Sequence, residues 1–148
     1  MQLMARDRDL GELVAELRGK RVMIWTCNTC ARLCNVGGSS NAQRLATALR
    51  SEGIEVTAVA SAKASCIASS AKENGGKQSD SCDLILVLAC DAACRVAERV
   101  FSKPCLNPVI TIGPGYLSED GVPVSVGGSE DTLESLSDKE GLPTGPFV

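Results

Sequence analysis

RVMIWTCNTCARLCNVGGSS, residues 21–40, decides how the chain is read. It opens on an apolar run of strand length, Arg21 to Thr26, without polar alternation, the pattern of a strand covered on both faces. It closes on Gly37-Gly38-Ser39-Ser40, a turn in which either serine, or Asn41 just beyond, is suited to capping a helix. Between the two stand three cysteines, Cys27, Cys30 and Cys34, and a single charge, Arg32. A buried strand feeding a helix through a turn is one unit of an α/β fold.

The neighbouring segments repeat the unit. Leu10, Leu13, Val14 and Leu17 share one face of a helix over residues 7–19, ended by Gly19. Leu45, Ala48 and Leu49 share a face of a helix over about residues 41–52, stopped by Gly53. Ile54 to Ala60 is a second strand, rich in β-branched residues. A short helix is expected around Ile67 to Glu73, before the breaker Asn74-Gly75-Gly76. Asp83 to Ala89 is the plainest strand in the chain, and Asp91 to Phe101 a helix with Ala93, Val96, Ala97 and Val100 inward, closed by Pro104. Leu106 to Ile112 is a fourth strand, which Pro108 assigns to an edge. Strand and helix in alternation predict a small doubly wound, flavodoxin- or Rossmann-like parallel sheet of about four strands with helices on both faces. Counting those strands in chain order, the expected arrangement is 2-1-3-4. No G-x-G-x-x-G follows any strand, and Gly37-Gly38 lies too far beyond the first to form a nucleotide loop. Residues 1–115 read as one cysteine-rich α/β domain. Gly113-Pro114-Gly115 reads as a turn, and residues 116–148 read as a short edge strand at Val122 to Val126, then a polar, acidic tail that is mobile or docks on a partner.

Composition narrows the function. At 148 residues and 44% hydrophobic the chain can bury one core, and with 3% aromatics that core is aliphatic. A net charge of −3 and the lack of a Lys/Arg-rich block exclude the electrostatic footprint of a nucleic-acid binder. No run of about 18 apolar residues is present, so no membrane span is expected. The first residues lack the apolar stretch of a signal peptide, and a cytoplasmic protein is expected.

Eight cysteines are then the anomaly. In a reducing compartment such thiols serve as metal ligands or redox groups more often than as disulfides. The expected topology sorts them. Cys27, Cys30 and Cys34 follow the first strand, Cys66 the second, and Cys90 and Cys94 the third; all belong to the carboxyl rim, where open parallel sheets bind ligands. Cys82 and Cys105 precede strands and belong to the opposite rim. C-x-x-C-x-x-x-C lets three sulfurs of one turn face a common point, with a fourth arriving from Cys66, Cys90 or Cys94. With no histidine in the chain, a zinc site here is all-cysteine or includes a carboxylate such as Asp91, itself more simply a helix cap. One close trio and one distant cysteine suits a [4Fe–4S] cluster, which takes four thiolates. Zinc remains the alternative, and a thiol or sulfur carrier using Cys30 or Cys94 the third. Arg32, Lys63 and the helix start near Ser39 to Asn41 are placed to balance thiolate charge or simply to meet solvent.

Cys27-Asn28-Thr29-Cys30-x-x-x-Cys34-x-x-Gly37-Gly38, with Cys66, Leu88-Ala89-Cys90 and Leu106-Asn107-Pro108 following in order, resembles the cysteine-rich domain of the small metal-binding subunit of bacterial methylenetetrahydrofolate reductase. The same domain is fused to the C-terminus of some reductases. The resemblance spans roughly residues 20 to 115. Asn28 stands where the family has glycine, and no cysteine follows Cys105, so the family's second, ferredoxin-like cysteine region has no counterpart. Cys82, Cys94 and Cys105 lie outside the pattern. The resemblance implies an accessory subunit that carries a metal centre and passes electrons to, or holds together, a flavin-containing catalytic partner. It does not imply a chain that reduces methylenetetrahydrofolate unaided.

Overall fold

The computed structural model of the chain describes residues 1–126. In chain order the elements are β1 (Gln2–Arg6), α1 (Leu10–Leu17), β2 (Arg21–Cys27), the single turn α2 (Cys30–Leu33), α3 (Ser39–Ser51), β3 (Glu55–Ala62), α4 (Ala68–Gly75), a 3-10 turn at Gln78–Ser81, β4 (Leu84–Leu88), α5 (Asp91–Phe101), β5 (Cys105–Leu106), β6 (Val109–Leu117) and β7 (Pro123–Ser125). Four strands form an all-parallel sheet in the order β3-β2-β4-β5, flanked by helices. This is the doubly wound α/β arrangement expected from the alternation, with the expected strand order.

β2 is the spine. Val22 to Trp25 and Thr26 are fully buried because β3 and β4 pair on its two edges while helices cover its faces. α3 lies on β2 and β3; α4 and α5 pack together. The indole of Trp25 meets the ring of Phe101 edge-on at 5.2 Å between centroids. Gly75 of α4 sits so close to both rings that a Cβ there would come within 2.9 Å of each. An aliphatic core thus closes around a single aromatic pair.

The second sheet was not foreseen. β1, β6 and β7 form a three-stranded antiparallel sheet. The strand expected over Leu106 to Ile112 is divided: Cys105–Leu106 pairs with β4, and the chain then leaves to pair with β1. Asn107 and Pro108 make the break. The Asn107 Oδ1 accepts the Val109 N–H at 3.0 Å, and Pro108, which has no N–H to give a ladder, offers only its carbonyl, to the Asp7 N–H. Gly113-Pro114-Gly115, expected as a turn, lies inside β6 opposite a bulge between Leu3 and Met4. The boundary expected at residue 115 therefore falls within a strand. β7 matches the short strand expected near residue 124; the tail over 129–148 lies outside the described residues.

Two caps also differ. α3 starts at Ser39 behind Gly38, whose φ of 88° places it in the left-handed region, so neither serine nor Asn41 is the cap. Cys90 holds the N-cap position of α5 and Asp91 is its first helical residue, whose N–H donates to Thr111 Oγ1 of β6 at 3.0 Å.

At the amino-terminal rim, Asp83 clamps the start of β2. It accepts from Arg21 Nη2 at 2.9 Å, Nε at 3.2 Å and the Arg21 backbone N–H at 3.1 Å. These bonds hold the Asp83 carboxyl down at about 2. A carboxylate held below its unfolded value stabilises the fold above the ordinary carboxylate range and loses that contribution as pH falls toward about 2. Asp83→Asn is expected to lower the melting temperature slightly at neutral pH, the pair being half exposed, and to match the parent in strong acid. Parallel melts across pH check this; a difference that persists in acid would refute it.

Candidate metal centre

The carboxyl rim of the parallel sheet gathers the loops that follow β2, β3 and β4. Cys27 ends β2, Cys30 opens α2, Cys34 follows it, Cys66 lies between β3 and α4, Cys90 caps α5 and Cys94 sits in its first turn. Strand order sets β2 between β3 and β4, so loops leaving β2 and its neighbours diverge here, at the crevice where such sheets bind ligands.

The turn after β2 is closely determined. Cys34 N–H donates to Cys30 O, and the N–H groups of Val36 and Gly37 both reach Ala31 O. Asn35 takes a φ of 58° to permit this. Asn28 ties the turn to its surroundings. Its Nδ2 donates to Ser61 Oγ at 3.1 Å, and its Oδ1 accepts the Ser39 N–H at 2.9 Å. Arg32 Nε is turned back onto Asn28 O at 3.0 Å.

The three sulfurs of this turn have different surroundings. Cys27 is buried, and its Sγ donates to Lys63 O at 3.6 Å, in the loop that carries Cys66; Thr29 Oγ1 donates to the same carbonyl. Cys30 is half-buried and its Sγ accepts the Gln2 N–H at 3.3 Å. Cys34 is buried and donates to Gln2 O at 3.7 Å. β1 thus lies across Cys30 and Cys34. Burial pushes the Cys34 thiol up to about 11, against a Met4 N–H that favours the thiolate.

Cys66 is exposed. Cys90 is buried, and its thiol is pushed up first by that burial; the N–H groups of Ala93 and Ala92 at the helix start oppose the shift, while nearby Cys66 and Cys30 add to it. Three loops therefore bring Cys30, Cys66 and Cys90 into one electrostatic neighbourhood. Among the described residues, however, no three Cys, His, Asp or Glu side chains are placed to hold a metal ion as they stand. The donor chemistry suits a soft metal or cluster; its assembly requires side chains to turn inward, and exposed Cys66 has the most freedom to do so.

Of the remaining thiols, Cys94 follows Cys90 on the first turn of α5, its N–H donating to Cys90 O, while Cys82 and Cys105 precede β4 and open β5. Cys94 is pushed up to about 11 by burial and then by Glu98 and Asp91, with Glu98 Oε1 at 3.9 Å. Cys105 is pushed up to about 12 by burial, with Cys94, Glu98 and Cys82 adding. Cys82 donates to Ser79 O at 3.3 Å beneath β4.

Two contributors to the rim escaped the sequence reading. Gln2 reaches it only because β1 exists, and its signal, Leu3-Met4-Ala5, is too short to mark a strand alone. Ser65 is fully buried and donates to Thr26 O at 2.7 Å. Among the described residues no helix is long and apolar enough to cross a membrane. No protein-family model, curated protein or solved structure matches the chain.

Proposed function

We propose that this chain is an accessory subunit whose rim thiols hold one metal centre, a [4Fe–4S] cluster, in the service of a flavin-containing catalytic partner of the methylenetetrahydrofolate reductase type. The observation that carries the reading is that the loops bearing Cys30, Cys66 and Cys90 all leave the carboxyl ends of neighbouring strands and open on one rim of a parallel sheet. Cys27 is the fourth donor, because its sulfur already rests on the Cys66 loop through Lys63. Cys34, buried and turned onto Gln2 O of β1 at 3.7 Å, is the member of the trio left out. A bound cluster supplies one-electron transfer. The chain's own part is to present thiolates, which must shed their protons to ligate, and to cover the centre from one side with β1. The partner rests on the resemblance carried by the cysteine spacing.

A carrier function through Cys94 is disfavoured by its chemistry: a nucleophilic thiol is activated by a lowered pKa, and Cys94 is shifted the other way.

Purified without oxygen, the full chain is expected to retain about four iron and four sulfide, the content of such a cluster. Cys27→Ser, Cys30→Ser, Cys66→Ser and Cys90→Ser should each lose most of it, while Cys34→Ser and Cys105→Ser retain it. About one zinc per chain without iron would replace the cluster with a zinc-held assembly module. A chain free of both metals would overturn the proposal.

A further inference from the structure

Thr26 is the one hydroxyl-bearing residue in the buried run of β2, and it bonds to three other chain segments. Its Oγ1 donates to Leu88 O at 2.8 Å, two residues before Cys90. The same Oγ1 accepts the Gly38 N–H at 2.7 Å, at the far end of the turn carrying Cys30 and Cys34. Its carbonyl accepts the Ser65 hydroxyl at 2.7 Å, next to Cys66. Thr26 and Ser65 are fully buried, and all three bonds are shielded from water. Sheet pairing alone brings Thr26 opposite Leu88; it does nothing for Gly38 or Ser65, which lie in loops. Those loops have no ladder of their own; the exposed or part-buried ties through Asn28 and Lys63 hold them at the surface, and the bonds to Thr26 are the buried ones that join them to the strand.

We infer that Thr26 is the positioning residue of the rim, its hydroxyl and carbonyl fixing the turn of Cys30, the loop of Cys66 and the strand end before Cys90 relative to one another. The inference rests on the proposed metal site and adds to it the group that brings the donors into register. The chemistry is specific. Valine matches threonine in shape but leaves the Gly38 N–H and the Leu88 carbonyl without their partner inside the fold. Serine keeps both bonds and removes only a methyl. A purely packing role predicts that valine is tolerated and serine is not; a positioning role predicts the reverse.

The test uses the full reduced chain and cobalt(II) as probe, read by its thiolate charge-transfer absorption. The parent and Thr26→Ser are expected to bind with the same spectrum. Thr26→Val is expected to bind about 10–100-fold more weakly, the scale for losing an outer partner of a metal site. Ser65→Ala serves as the second variant, since it removes only the tie to the Cys66 loop and leaves β2 intact. In it cobalt should no longer protect Cys66 from alkylation, while protection of Cys90 remains. If Thr26→Val and Ser65→Ala bind and protect like the parent, the positioning role is wrong and the metal site stands. If Thr26→Val fails to fold, the Ser65→Ala result alone decides. If the parent shows no thiolate–cobalt spectrum, the metal reading fails and this inference with it.

Discussion

Trp25→Ala is expected to destabilise the fold by about 3–5 kcal/mol, the range for truncating a large buried aromatic. Against a total stability of about 5–15 kcal/mol for a domain of this kind, that is a large share. The melting temperature should fall by about 10–20 °C. Trp25 stands in the central strand, fully buried, between Ala60 on β3 and Val87 on β4. Its neighbours on the ring side are Phe101 and Gly75, and neither can fill the space it leaves: one is already packed edge-on, the other has no side chain. Trp25→Phe should behave differently. The indole Nε1 finds no hydrogen-bond partner among the described residues, and a buried unpartnered N–H costs about 1–3 kcal/mol. Phenylalanine keeps a ring against Phe101 and removes that N–H, so its net cost should stay below about 1.5 kcal/mol, as for other well-tolerated core exchanges. Denaturant melts followed by far-ultraviolet circular dichroism check both, since the chain's one tryptophan is itself being changed. Equal losses in the two variants would show that the Trp25 environment is described wrongly.

The parallel sheet was legible because its strands are covered on both faces and therefore lack polar alternation. Arg21 to Thr26 and Asp83 to Ala89 announce themselves as continuous apolar runs, and the helices between them carry their own apolar stripes. The small antiparallel sheet was not legible. β1 has only Leu3, Met4 and Ala5 buried, too few residues to show a period, and its partner β6 contains Gly113, Pro114 and Gly115, which read locally as a turn. Tertiary pairing overrides that local signal: Gly115 is paired with Ser125 of β7, and it is glycine there because a Cβ would come within 2.5 Å of Leu3 Cγ and of Val124 O. The sequence spacing carries no trace of a contact between the two ends of a domain.

The candidate site divides along the same line. Which cysteines belong to which rim followed from topology, because a parallel strand must deliver its carboxyl end to one side. What each sulfur meets did not follow. Cys34 has the same spacing rank as Cys27 and Cys30, yet it is buried and its sulfur is turned onto Gln2 O of β1. Asn28 carries no signal in its spacing and is a junction joining Ser61 and Ser39. Side-chain roles of this kind arise from pairs far apart in the chain, and no local pattern encodes them.

Gly37→Ala should be strongly damaging, and for a reason that links stability to the rim. An added Cβ would lie 2.6 Å from Leu88 O, 2.7 Å from Ala31 Cβ and 2.8 Å from Thr26 Oγ1. None of the three is the far end of a flexible side chain. Leu88 O is backbone of a central strand, Ala31 is a methyl on α2, and Thr26 is held by its own bonds. The turn must therefore lift away from β4. Overpacking of this kind costs about 1–3 kcal/mol. Lifting also breaks the bond from Gly38 N–H to Thr26 Oγ1, at about 1 kcal/mol. A loss of about 2–4 kcal/mol is expected from these terms together. Gly11→Ala is the control. It lies on the exposed side of α1, where a Cβ would meet only Asp9 Oδ1 at 3.5 Å, and it should raise stability by about 0.5–1 kcal/mol. Denaturant melts of both variants give the comparison, and amide exchange at Gly38 localises it: exchange there should accelerate in Gly37→Ala well beyond the global change. A Gly37→Ala protein as stable as the parent, with Gly38 still protected, would mean that the turn after β2 does not pack against Leu88 and Thr26 as described.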